Sequence, residues 1–213
     1  MTIDRKALIK KYGNEQVFVV PFSSTQKIPD KFSIFKDNLL DMKSGRYIHR
    51  YYAEGNVSMQ QIIPCIVIYD ENNNYLTTKR LAGDERLRDK LSIIIGGHMN
   101  PVDGYGSESI QNCLLRELGE ETNLLDICNE TPLSIKEIAK TIAYIRDLKS
   151  TTPDHVGIVY FLKVSKDVKN KLKIKETDTL KAQWMTPDEL GDNYISFESW
   201  GQMIIAEILF PDV

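Results

Sequence analysis

The sequence predicts an α/β fold in a single domain: a mixed β-sheet covered by helices on both faces, an α/β/α sandwich, preceded by an N-terminal extension. Three observations predict it. Short apolar segments with strand character recur between residues 61 and 185, a helix-forming segment rich in carboxylates interrupts them, and an amphipathic segment closes the chain. With 213 residues, 42% of them hydrophobic, the chain can build one sizeable core but is short for two enzymes. The expected division is an extension over 1–60, a core over 61–190 and a C-terminal helix within 191–213.

Within the extension, Gln16 to Pro21 (QVFVVP) reads as a short strand closed by proline. Residues 31 to 43 read as a weak helix around Phe32, Ile34, Phe35, Leu39 and Leu40. Tyr47, Tyr51 and Tyr52, interleaved with Arg46, His49 and Arg50, fit either aromatic packing of the extension onto the domain or a base-stacking patch at a substrate mouth. Gln61 to Tyr69 is nearly all apolar, the next five residues are polar, and Tyr75 to Arg80 returns, so a β-hairpin with a buried first strand is expected. Leu91 to Ile95 forms a further strand leading into Gly96-Gly97, where a bare backbone can approach a ligand closely.

The next segment should be a helix, with Ser107 as N-cap and no proline or β-branched run before Thr122. Beyond it, Lys140–Arg146 and Val156–Val164 are expected to pair antiparallel, and His155 at the second strand's start is either a functional group or half-exposed structure. Leu180 to Met185 is another strand. Thr186-Pro187-Asp188-Glu189 then has the N-cap, first-position proline and third-position glutamate of a helix start. Phe197, Trp200, Ile204 and Ile208 give the closing helix its core face.

At 3.6 residues per turn, Ile110, Leu114, Glu117, Glu121 and Leu124 fall on one face of the central helix, so its carboxylates continue the apolar stripe. Glu117 and Glu121 are like charges one turn apart and need a positive partner. Arg116, at i,i+4 from Glu120, can offset one carboxylate. The rest suit a hard, oxygen-loving cation, Mg2+ or Mn2+ in preference to Zn2+.

Glu108, then seven residues, then Arg116-Glu117-Leu118-Gly119-Glu120-Glu121-Thr122-Asn123-Leu124 resembles the Nudix box of the MutT-like hydrolases. Asn123 stands where that pattern has glycine, and Val102 occupies the position of the box's first glycine. Taking Gly97 as that glycine implies a five-residue insertion within 100–107, similar to a branch of MutT-family phosphoesterases with a Gly-Gly-His-x-Asn-Pro-x-Asp loop. The resemblance covers roughly residues 61 to 210 and implies the Nudix-like sandwich. It further implies metal binding by Glu117, Glu120, Glu121 and the Gly97 carbonyl, and catalytic roles for Glu120, Arg116 and Glu108, with Arg116 orienting Glu120 and Glu108 orienting Arg116 or a ligand's partner. His98 and Tyr105 are expected at the substrate. The general base is left among Glu176, Asp178 and Asp154; Gln183 stands near Trp184, where some members carry a glutamate.

The implied activity is metal-dependent hydrolysis of a phosphoanhydride in a nucleoside diphosphate linked to another group. A sensor that binds such a ligand without cleaving it is the alternative, and an isoprenyl diphosphate isomerase would need a catalytic cysteine that Cys65 and Cys113, both in apolar settings, do not suggest. A net charge of −3 with dispersed basic residues gives no footprint for a nucleic acid polymer. No apolar leader or membrane-length stretch is present, so a cytoplasmic protein without membrane contact is expected, and a homodimer is left open. The three cysteines have no metal-like spacing and read as thiols in a reducing compartment.

Overall fold

The structure, a computed structural model, describes residues 3–35, 39–81, 88–106, 108–130 and 142–211. In chain order its elements are α1 (Arg5–Tyr12), β1 (Gln16–Pro21), β2 (Phe32–Phe35), β3 (Arg46–His49), α2 (Arg50–Ala53), β4 (Met59–Asp70), β5 (Tyr75–Arg80), β6 (Leu91–Ser92), β7 (Ile95–Gly96) and α3 (Glu108–Glu121). There follow α4 (Leu124–Glu130), β8 (Ile142–Ile145), β9 (His155–Val164), α5 (Lys166–Lys171), β10 (Leu180–Met185), α6 (Pro187–Asp192) and α7 (Ser199–Leu209).

The described strands join in one mixed sheet with the central order β10-β5-β4-β9-β8-β2. β4 and β9 run parallel from Gln61↔His155 to Asp70↔Val164, and the remaining pairs are antiparallel. β4 explains its own composition. Ile62, Ile66 and Ile68 pack on one face with Leu114, Leu118, Leu124 and Val168 of α3, α4 and α5. Ile63, Cys65 and Val67 pack on the other with Leu190, Trp200, Ile204 and Ile205 of α6 and α7. A strand covered on both sides has no reason to alternate apolar with polar residues, which is why the run reads as continuous. The expected sandwich is therefore present, with its two larger cores separated by the sheet and a small third cluster of Val17, Val19 and Ala53 in the extension.

The extension is woven into that sheet: β1 pairs with both β3 and β4, and β2 with β8. Residues 31–43 are not the expected helix. Phe32 to Phe35 form a strand along Ile145 to Ile142, with Phe32 packed into one core and Phe35 against the other, as a period of two requires. Pairing with β8, more than a hundred residues away, overrides a helical spacing that was only local. Residues 36–38 lie outside the described residues, and a 3-10 turn covers Met42–Ser44.

The single strand expected at Leu91–Ile95 divides, because β6 pairs with β5 whereas β7 pairs with β4. The hairpin of β4 and β5, the antiparallel β8–β9 pair and β10 stand where the sequence places them. So does the capping box of Thr186 and Glu189 on α6. Helix α3 ends at Glu121, where Thr122 turns its hydroxyl onto the Leu118 carbonyl and accepts the amide of Leu124, opening α4. Ser107 lies outside the described residues. Among the described residues no helix is long and apolar enough to cross a membrane.

Candidate active site

A cavity of about 1020 Å³ opens between the ends of the central strands, α3, α7 and the N-terminal extension. Gly96, Gly97, His98, Arg116, Glu117 and Glu121 line one wall. Gly97 is required there by space: a Cβ would meet the Glu117 carboxylate at 2.5 Å, so the bare backbone lets that acid lie against the loop. Cys113 donates a weak Sγ hydrogen bond of 3.7 Å to the Gly97 carbonyl.

Arg116 organises the acids around it. Its Nε and Nη2 donate to the two oxygens of Asp103 at 2.9 and 3.1 Å, and Nη2 also donates to the His98 carbonyl at 2.9 Å. Nη1 donates to Glu117 at 2.7 Å and to Glu120 at 3.2 Å. Burial works against the guanidinium charge, yet the hydrogen bonds to Asp103 and the nearby Glu117 outweigh it and hold Arg116 above its ordinary value.

Asp103 is only 2% exposed, and it also accepts the Asn100 amide while Asn100 accepts that of Val102, a capping box on the turn Pro101–Asp103. The lengthened loop therefore supplies the arginine's anchor. Glu108 is exposed in the first turn of α3 and is not among the hydrogen-bond partners of Arg116.

Burial pushes Glu117 up, Arg116 opposing, and pushes Glu121 up to about 8, reinforced by the charges of Glu117 and Glu176. The Glu120 side chain is 53% exposed, does not line the cavity and spends its hydrogen bond on Arg116. Glu117 and Glu121 are thus two poorly solvated carboxylates under mutual repulsion, beside a backbone carbonyl. That all-oxygen donor set fits a hard divalent cation.

The rest of the expected set divides. His98 lines the cavity, with its Nε2 3.1 Å from Nε2 of His155. His155 Nδ1 lies 3.1 Å from Asp154, which also accepts the Gly55 amide and Gln61 Nε2 at 2.8 and 2.9 Å. Asp154 is 1% exposed and locked behind His155, whereas Glu176 and Asp178 are exposed; of the three, Glu176 is the one whose charge reaches Glu121. Tyr105 does not line the cavity and packs edge-on against Tyr47, which in turn packs on Phe18. Tyr51 stacks on His49, but Arg50 reaches the cavity, where it covers the Tyr12 ring and pairs with Glu15 and Glu54.

Several cavity residues carry no sequence signal of a role: Lys11 and Tyr12 of α1, Arg80, Lys90 and the hydroxyls of 150–152. Glu198 is another, a half-buried N-cap that accepts the amides of Trp200 and Gly201 and is pushed up to about 7 by desolvation. Asp103 alone had a legible pattern, Asn-Pro-x-Asp, a helix-start signature in miniature.

A profile of the NUDIX domain matches residues 59–206. Protein YmaB of Bacillus subtilis (strain 168) is 32% identical over 167 residues, 75% of this chain and 76% of that protein. Among solved structures, Tm1382, named as a candidate Nudix hydrolase, superposes with a TM-score of 0.70 at 24% identity over 92% of this chain and 98% of its own. A bifunctional NMN adenylyltransferase/ADP ribose pyrophosphatase from Francisella tularensis, complexed with AMP and Mn ion, gives 0.51 at 16% identity, covering 70% of this chain and 41% of that one. The last two share the fold.

Proposed function

The chain belongs to the NUDIX domain family and is a Nudix-type hydrolase, and from that premise we propose that it cleaves a phosphoanhydride in a nucleoside diphosphate linked to another group, using Mg2+ or Mn2+. The observation that carries this reading is the pair Glu117 and Glu121, two carboxylates on one cavity wall whose partial burial, with neighbouring negative charge, raises both above their ordinary values. Glu117, Glu121 and the Gly97 carbonyl would hold the cation, with Glu120 joining from the outer side of α3. The cation would neutralise the diphosphate and acidify a bound water.

The chain's own contribution is positioning. Arg116, fixed on Asp103, holds Glu117 in place and keeps Glu120 beside it. Arg80, Lys90 and Lys11 bring positive charge to the cavity, as an anionic substrate requires, whereas the charge of Arg50 is offset by Glu15 and Glu54. Only modest loss of fold stability is expected on removing an inward charge, since no cavity opens.

The test is a panel of nucleoside diphosphate sugars, dinucleoside polyphosphates, ADP-ribose, NADH, coenzyme A and nucleoside triphosphates, each with Mg2+ or Mn2+. One class should be hydrolysed, with label from 18O water appearing on a phosphate of one product. Glu121→Gln should lower kcat by about 100-fold or more, the scale for losing a preorganised electrostatic group, and Glu120→Gln by less. Tight binding of one compound with no turnover under either metal would instead select a ligand sensor.

A further inference from the structure

We propose that Glu54, His98 and His155 form a second metal site, distinct from the α3 carboxylates, that takes a divalent transition ion of the zinc class. The three come from separate segments: Glu54 caps α2, His98 follows the Gly96-Gly97 turn and His155 opens β9. Their donor atoms nevertheless all lie within 4.8 Å of one another, with Glu54 5% and His155 7% exposed.

The two Nε2 atoms, 3.1 Å apart, are close to the spacing of about 3.3 Å that two nitrogens adopt on one tetrahedral ion with bonds of about 2.0–2.1 Å. Neither nitrogen needs a large movement to share an ion.

A second feature points the same way. Zinc-ligating histidines characteristically donate their other ring N–H to a carboxylate, which fixes the tautomer and raises the basicity of the ligating nitrogen. His155 has that arrangement: its Nδ1 is 3.1 Å from Asp154, and Asp154 is itself held by the Gly55 amide and by Gln61. Glu54 accepts Nε of Arg50 at 3.0 Å, which orients its carboxylate as well. With two imidazole nitrogens and one carboxylate the donor set differs in kind from the all-oxygen set at Glu117 and Glu121. Imidazole suits zinc-class ions and gives Mg2+ little, so the two sites select different metals.

Three protein ligands leave a coordination position for water or a ligand atom, and since His98 and His155 line the cavity, that position is reached from it. The ion also ties α2 of the extension to β9 at the centre of the sheet.

The experiment uses the metal-stripped chain, with Mg2+ in large excess to satisfy the α3 carboxylates, titrated with Zn2+ and desalted before metal analysis. One zinc per chain should be retained. His98→Gln and His155→Gln should each abolish stoichiometric retention, and Asp154→Asn should weaken binding by about 10–100-fold. The double variant Glu117→Gln/Glu121→Gln should retain zinc fully, which separates this proposal from the hydrolase reading.

Should a histidine variant misfold by circular dichroism, X-ray absorption at the zinc edge of the unsubstituted protein decides, with two imidazoles in the first shell expected. A shell without imidazole, no retained zinc, or retention lost only in the double glutamate variant would overturn the site.

Discussion

Removing the carboxylate of Asp103 leaves Arg116 without the partner that holds its Nε and one of its terminal nitrogens. The guanidinium would keep Glu117, Glu120, the His98 carbonyl and a weak contact with the Cys113 sulfur, in a setting where burial already disfavours its charge. Breaking a largely buried pair on one side costs on the order of 3 kcal/mol. Asp103→Ala should therefore lower stability in urea by about that much and also depress kcat, because Glu117 loses its fixed partner. Glu108→Gln, an exposed change in the first turn, should stay within about 0.5 kcal/mol of the parent protein. Equal losses in the two variants would return the positioning role to Glu108. At this scale the sequence discloses what helix periodicity can place: Glu117 and Glu121 do face the cavity. It does not disclose that Glu54 and His155 meet His98, because nothing local relates a helix cap, a loop and a strand separated by tens of residues.

Elements whose cause is local were legible, as β1 with its terminal proline and the Thr186–Glu189 helix start illustrate. Elements whose cause is a distant partner were not: β2 exists because β8 offers an edge, and β6 and β7 divide because two different strands claim them. β9 shows how tightly such partners constrain a strand. Gly157 sits between Ile63 of β4 and Ile145 of β8, and a Cβ there would press on the Ile145 side chain and stand 2.8 Å from the Trp200 ring of α7. Neither neighbour can withdraw, since Ile145 is fully buried and Trp200 nearly so. Gly157→Ala should thus cost about 1–3 kcal/mol by overpacking, read as a lower denaturant midpoint with an unchanged slope. An unchanged midpoint would mean that α7 lifts from the sheet more easily than its packing indicates.

For the molecule as a whole, the half-buried acids set how stability follows pH once metal is removed. Burial raises Glu198 from 4.5 to about 7 against the pull of the Trp200 and Gly201 amides, and Glu121 from 4.5 to about 8. A carboxyl raised in the folded state binds more protons folded than unfolded between its two values, so its contribution is full below about pH 4.5 and is lost as pH climbs through the folded value. Asp70 and Asp154 are shifted the other way: burial would raise them, but hydrogen bonds from Asn74 and Lys169, and from His155, outweigh it. Their contribution is lost only as pH falls below about 3.8, outside the window in question. The Tm in EDTA should therefore decline between about pH 5 and about pH 8, which contrasts with the usual broad plateau. Glu198→Gln keeps an oxygen for only one of the two α7 amides, which lowers the Tm at every pH, but it cannot ionise, so its decline should be shallower, and adding Glu121→Gln should flatten the curve further. Divalent metal should restore most of the loss near pH 8 in the parent protein, because a cation bound at Glu117 and Glu121 takes the place of the proton. A Tm that rises over this window would show that these carboxyls ionise freely in the fold, and that the acids on the cavity wall are better solvated than their burial implies.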